Sequence, residues 1–278
     1  MSSASGQGPD RPTLAFAHAN GVPGGSYRHF LAPLESRYQL AVVDRIGHDP
    51  AFPVDAHWHS LSLEMESFLA PLPKPLVGMG HSMGGVLMFM VACRRPEWFS
   101  SLVMLDPPLI NGWFRPLFNL LRRLGQTDRL TPAGKSLGRR DHWADQDQVQ
   151  EYFSTRALYR RFDPRCLEDF IEAATTPCEG GFCLRFDPAV EVAIFRQTPG
   201  NLNRFPRLPV PGAVITGAQS EPVFHQSHRR HVRRHRMIWA QAPGGHMFPL
   251  EQPDKAVKVV ETVLDQLAAI KGGQRHAA

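Results

Sequence analysis

Ser82 lies in Gly80-His81-Ser82-Met83-Gly84, with further glycines at 78 and 85. A serine hydroxyl is a weak nucleophile until a base takes its proton, and the base in turn needs a third group to orient it. With 13 histidines in the chain, residue type alone selects no base, but context does. His246 follows an apolar run, is preceded by Gly244 and Gly245, and sits late in the chain in "PGGHMFPLEQPD", the order in which a base follows a G-x-S-x-G serine. His18, His48, His57, His59 and His81 read instead as structural groups near turns. A serine, a histidine base and backbone N–H donors together perform acyl transfer through a covalent intermediate, which water then hydrolyses.

Such a serine has to be carried by a sharp strand-to-helix turn. "TLAFAHAN" (13–20) and "YQLAVVDRIG" (38–47) are short apolar runs ended by turn residues, with helical spacing in "SYRHFLAPLESR" between them. "WHSLSLEMESFLAPL" (58–72) reads as an amphipathic helix, "KPLVGMGHS" (74–82) as a buried strand, "MGGVLMFMVACRRPEWF" (83–99) as a buried helix and "SLVMLDPP" (101–108) as the next strand. Strands alternating with helices predict a mostly parallel sheet covered on both faces. From 109 to 205 the rhythm gives way to Arg-rich and aromatic segments that look helical and are too long for a loop. The sheet resumes with "VPGAVITGAQ" (210–219) and "RMIWAQAP" (236–243), and a helix follows from about 250 to 272. The expectation is an α/β core of residues 1–108 and 206–278 with about six strands, interrupted by a helical cap at 109–205. Ser82 then stands between a buried strand and a buried helix. The flanking glycines leave room for the crowded turn, and the Met83 N–H at the helix start faces a developing oxyanion.

These motifs, taken in order, resemble the α/β-hydrolase superfamily, and nearly the whole chain takes part. "FAHANGVPGGSY" resembles that family's oxyanion turn, with Asn20 where His is commoner, and "VVDRIGHDP" its Asp-x-x-Gly-His segment. "GMGHSMGG" resembles its nucleophile elbow and "PGGHMFPLEQPD" its catalytic-histidine turn. The resemblance implies a second oxyanion donor at Val22 and an acid after the strand "GAVITG". The usual acid position there carries Ser220, so Glu221, one residue later, is the favoured acid. Asp106 in "MLDPP", at the end of the strand after the nucleophile helix, is the alternative; its plain reading is a turn residue before two prolines. The resemblance implies a serine hydrolase of carboxylic esters, with thioesters and lactones as close variants. A serine at the elbow argues against the dehalogenases and epoxide hydrolases of this fold, which use Asp. Lyase, haloperoxidase-like and purely ligand-binding relatives remain alternatives. Trp113, Phe114, Phe118, Tyr152, Phe153 and Tyr159 either line an acyl pocket or pack the cap's own core. Arg139, Arg140, Arg160 and Arg161 either receive an anionic substrate or decorate exposed helices.

Composition excludes other classes. The 278 residues, 42% hydrophobic, suit a sizeable core. No run is long enough to span a membrane, and "MSSASGQGPDRP" lacks a signal-peptide pattern, so the expectation is a soluble cytoplasmic protein. Cys93, Cys166, Cys178 and Cys183 are expected as thiols, although the turn between Cys178 and Cys183 could juxtapose that pair. No zinc spacing is present, so neither metal nor cofactor is expected. The net charge is +5, concentrated in "HQSHRRHVRRHR" (225–236). That stretch has no interleaved aromatics and reads as a solvated helix face, so the expected partner is a small-molecule acyl substrate and not nucleic acid.

Overall fold

The computed structural model describes residues 11–110, 114–126, 128 and 133–276. In chain order the strands are β1 (Thr13–Ala17), β2 (Gln39–Val42), β3 (Leu76–His81), β4 (Phe99–Leu105), β5 (His142–Trp143), β6 (Thr175–Cys178), β7 (Gly181–Leu184), β8 (Gly212–Gly217) and β9 (Ile238–Ala242). The helices are α1 (Arg28–Leu31), α2 (His59–Leu69), α3 (Met83–Arg94), α4 (Phe114–Arg123), α5 (Ala133–Ser136), α6 (Gln146–Thr155), α7 (Pro164–Ala174), α8 (Pro188–Arg196), α9 (Pro222–His235), α10 (Phe248–Glu251) and α11 (Pro253–His276). Among the described residues no helix is long and apolar enough to cross a membrane.

Six strands form one parallel sheet in the order β2-β1-β3-β4-β8-β9. Successive side chains of a strand face opposite ways, and the sheet uses both sets. Leu14, Phe16, Val77, Met79, Val103, Leu105, Ala213 and Ile215 pack with Tyr27, Phe30 and α11. The alternate set, Ala15, Ala17, Leu76, Leu102, Met104 and Val214, packs against α2 and α3. This is the parallel, doubly covered sheet read from the sequence. The chain runs from β1 outward to β2 and then returns to place β3 on the other side of β1. The carboxyl ends of β1 and β3 therefore flank the point where strand order reverses, which is where sheets of this kind bind ligands.

The stretch between β4 and β8 differs from the expected all-helical insertion. Alongside α4 to α8 it holds a three-stranded antiparallel sheet in the order β5-β7-β6. Strands of two to four residues are too short to show a period of two. The expected thiols are also corrected in part. Cys178 and Cys183 are joined as a disulfide with their Cα atoms 5.8 Å apart, while Cys93 and Cys166 are free. The hairpin register, with Cys178 opposite Gly181 and Thr176 opposite Cys183, brings the two cysteines into a diagonal pair.

The basic stretch is only half a solvated face. In α9 the arginines 229, 230, 233 and 234 are exposed, whereas His228, His231 and His235 are buried. His231 and His235 lie edge-on to Phe89, at ring separations of 4.8 and 4.9 Å. Neutral imidazoles here serve as aromatic packing. The final helix also continues past the expected end to His276.

Candidate active site

Ser82 follows β3 directly and precedes α3, with φ 51° and ψ −115°. A non-glycine residue at positive φ costs of order 1–3 kcal/mol and persists only where its surroundings enforce it. Close packing does so here. A Cβ on Gly80 would stand 2.4 Å from the Gly84 carbonyl carbon, and one on Gly84 would stand 2.2 Å from the Ala17 carbonyl oxygen. The strand, the first turn of α3 and the end of β1 thus approach closely enough to exclude side chains at both positions. Gly84 N–H also donates to the His18 carbonyl at 3.2 Å, holding the turn after β1 against the start of α3.

Sheet register then decides which carboxylate reaches the histidine. His81 pairs with Leu105, and Ser82 N–H donates to Leu105 O at 2.8 Å, so Asp106 emerges beside Ser82 at the same level of the sheet. His246, in the loop after β9, bridges the two. Its Nδ1 lies 2.6 Å from Asp106 Oδ2 and its Nε2 lies 3.1 Å from Ser82 Oγ. A carboxylate only accepts, so Nδ1–H donates to Asp106 and Nε2 is free to accept the Ser82 proton. Asp106 is 5% exposed, and its Oδ2 also accepts from Ser220 Oγ at 3.0 Å while Oδ1 accepts from Gly217 N at 3.2 Å. Burial alone would raise its pKa. The hydrogen bond and charge of His246, with smaller contributions from His228 and Ser220, outweigh burial and hold the carboxyl below its usual value.

Glu221, the acid favoured from sequence, is not brought to His246. Ala218 and Gln219 donate to the Ala242 and Gly244 carbonyls, and Ser220 N donates to Gly217 O. This winds the turn so that Ser220 faces Asp106, and Glu221 stands exposed at the head of α9. The position read as lacking its acid thus carries a hydroxyl that supports an acid on the neighbouring strand.

Of the two expected oxyanion donors, Val22 is tied into its own turn. Val22 N–H donates to Ala19 O at 3.1 Å, closing a turn over Asn20 and Gly21, so this amide is used within the turn itself. A relay of hydrogen bonds ties the turn to the His246 loop. His81 Nε2–H donates to the His246 carbonyl at 2.8 Å, its Nδ1 accepts from Tyr27 OH at 2.7 Å, and the Tyr27 oxygen accepts from Ala19 N at 3.2 Å. His18 is likewise buried, with Nδ1–H on Ala19 O at 2.8 Å and Nε2 accepting from Ile46 N at 3.0 Å. Neither connection can be read from local spacing. The Gly245 N–H before His246 is held by Glu251 Oε2 at 2.6 Å, and Arg161 reaches the same carboxylate at 3.1 Å.

These buried rings predict a pH dependence of stability. Burial lowers the pKa of His18 to about 4, and burial with the neighbouring His246 lowers that of His81 to about 3. The unfolded chain takes up protons near 6.5, whereas the folded chain refuses them until much lower pH. Stability is therefore full above that value and falls as pH drops through the window from 6.5 toward 4. At about pH 5 each ring should cost roughly 2 kcal/mol relative to pH 8. Urea midpoints at the two pH values measure this; a midpoint that does not move would refute it.

The segment between β4 and β8 reaches the turn after β1. Asn20 Nδ2 donates to the Glu191 carbonyl at 2.9 Å, and a Cβ on Gly21 would stand 2.8 Å from the Glu191 carboxylate carbon. Arg139 is half-buried and committed to Glu191 at 2.8 Å and to Tyr159 OH at 2.7 Å. Arg140 serves the His142 carbonyl and Gln148. Tyr152, Phe153 and Tyr159 interlock with Trp143, Phe162 and Phe170 at ring separations near 5 Å. That is the packing alternative of the two readings. Phe118 is buried; Trp113 and the Phe114 side chain lie outside the described residues.

The sequence model of the alpha/beta hydrolase family matches residues 14–259. Type I acyl-CoA thioesterase mpaH of Penicillium brevicompactum is 33% identical over 114 residues, covering 40% of this chain and 24% of that protein. Pimeloyl-[acyl-carrier protein] methyl ester esterase of Vibrio vulnificus (strain YJ016) is 33% identical over 100 residues, covering 35% and 36%. The chain thus spans between 24% and 36% of the length of these two curated relatives. In three dimensions the crystal structure of E-2-(acetamidomethylene)succinate hydrolase superimposes with a TM-score of 0.72 at 17% identity, over 91% of each chain. A match over most of the sequence and a shared parallel sheet lead to one conclusion: the chain belongs to the alpha/beta hydrolase family.

Proposed function

We propose that this protein hydrolyses a carboxylic ester, with thioesters and lactones as close variants, through an acyl-enzyme on Ser82. The observation that carries the reading is the continuous chain of contacts from Ser82 Oγ through His246 to Asp106, 3.1 and 2.6 Å. His246 Nε2 takes the Ser82 proton as Oγ attacks the acyl carbon, and then returns it to the departing alcohol or thiol. Asp106 keeps the imidazole in the accepting tautomer and stabilises the imidazolium. The oxyanion meets the Met83 N–H at the start of α3 and a central amide of the Ala19–Val22 turn, since Val22's own N–H is spent on Ala19 O. The His246 side chain is 46% exposed, which leaves a path for the water that releases the acid. Residues 109–205 act as the cap, joined to the oxyanion turn through Glu191. Relatives named for ester and thioester cleavage support this substrate class.

The test is labelling with a fluorophosphonate, followed by a chain-length series of p-nitrophenyl esters and acyl thioesters. A single adduct on Ser82 and saturable turnover are expected. A folded protein inert to both would instead favour a ligand-binding member of the family.

A further inference from the structure

His142, Cys178 and Cys183 offer one donor atom each, all within 4.8 Å of one another. The small sheet places them there. His142 stands directly opposite Cys183 across β5 and β7, and Cys178 stands two positions along β6 from Thr176, which pairs with Cys183. With a side-chain period of two, all three side chains share one face of a three-stranded sheet. The His142 ring is held over the hairpin turn by Nε2 at 3.2 Å from the Glu179 carbonyl. None of the three contributes to the contacts around Ser82. His142 is exposed and both cysteines are half-buried, so ions and reductants can reach them.

We infer that this cluster is a redox-gated site for a zinc-type divalent cation. Two thiolates and one imidazole form a donor set that suits a tetrahedral soft ion, with the fourth position left to water. The same sulfurs cannot be cross-linked and act as thiolate ligands, so the disulfide seen here is the closed state. Opening it with a trialkylphosphine transfers two electrons from phosphorus to the S–S bond; water gives its oxygen to the phosphine oxide and its two protons to the sulfurs. Binding the ion then releases both thiol protons. In a cell a dithiol would supply the same two electrons and two protons and become a disulfide itself. The arrangement escapes sequence inspection because the histidine arrives from a strand far upstream of the C-x-x-x-x-C pair.

The probe is cobalt(II), added to tag-free protein before and after phosphine treatment. One equivalent should give the intense visible absorption of a tetrahedral thiolate-bound ion in the reduced protein and none in the oxidised protein, and zinc should bleach it. The signal should vanish in Cys178→Ser and in Cys183→Ser, weaken by roughly tenfold or more in affinity in His142→Ala, and survive in Cys93→Ser. A pair that stays cross-linked under the phosphine, a reduced parent without the absorption, or a signal that persists without Cys178 and Cys183 would each overturn the proposal.

Discussion

Ser82→Ala should fold like the parent and turn over p-nitrophenyl esters at least about 10³-fold more slowly. The substitution removes the hydroxyl and nothing that supports the elbow. The backbone at 82 stays pinned by Leu105 O, and the glycines on either side still admit the close approach of β3, α3 and β1. His246 Nε2 loses a hydrogen-bond donor, but the ring is half exposed, so water replaces it at little cost in stability. Acyl transfer without a nucleophile falls back on whatever the oxyanion donors and substrate binding supply, which is why the loss is large and finite. His246→Ala should show a loss of comparable order, because nucleophile and base act as a unit. Equal unfolding midpoints for variant and parent establish that the loss is chemical. Turnover retained by Ser82→Ala in a preparation free of contaminating esterase would remove Ser82 from the mechanism.

What was legible in the sequence follows how local each signal is. Ser82 and His246 announce themselves within five or six residues, because a crowded turn demands small neighbours on either side. The six core strands were equally visible, being apolar runs bounded by turn residues. Asp106 was visible only as an alternative: before two prolines it looks like turn chemistry, and its place beside Ser82 and His246 depends on the β3·β4 register, a non-local fact. One residue past the ends of β3 and β4 stand Ser82 and Asp106, but the apolar runs as read from sequence extend to 82 and 108, so the shared level shows only once the strand ends are known. The buried face of α9 was hidden by its arginines, since a histidine reads as polar in a charged run and packs as an aromatic once neutral. The small sheet and the His142 approach to the cysteines rest on strands too short to leave a period.

The acid gives the second large effect. Asp106→Asn should leave the fold intact and cut ester turnover by up to about 10⁴, while Glu221→Gln should stay within about twofold of the parent. The hydrogen bonds around Asp106 dictate why an isosteric amide fails. Oδ1 accepts from Gly217 N at 3.2 Å, a backbone donor that cannot turn away, so the side-chain amide introduced by the substitution must put its oxygen there. Its NH₂ then faces His246 Nδ1 in place of the carboxylate oxygen that now lies at 2.6 Å. Two donors cannot share that contact, so the imidazole moves its proton to Nε2, the atom that has to accept from Ser82. The base is present, correctly placed and in the wrong tautomer. Glu221 is exposed at the head of α9, so its neutralisation removes only a favourable charge near a helix start, of order 0.3–1 kcal/mol in stability. Initial rates on one p-nitrophenyl ester for both variants decide the matter. A crippled Glu221→Gln beside an active Asp106→Asn would mean that the turn after β8 rearranges in solution and that Asp106 is a structural residue.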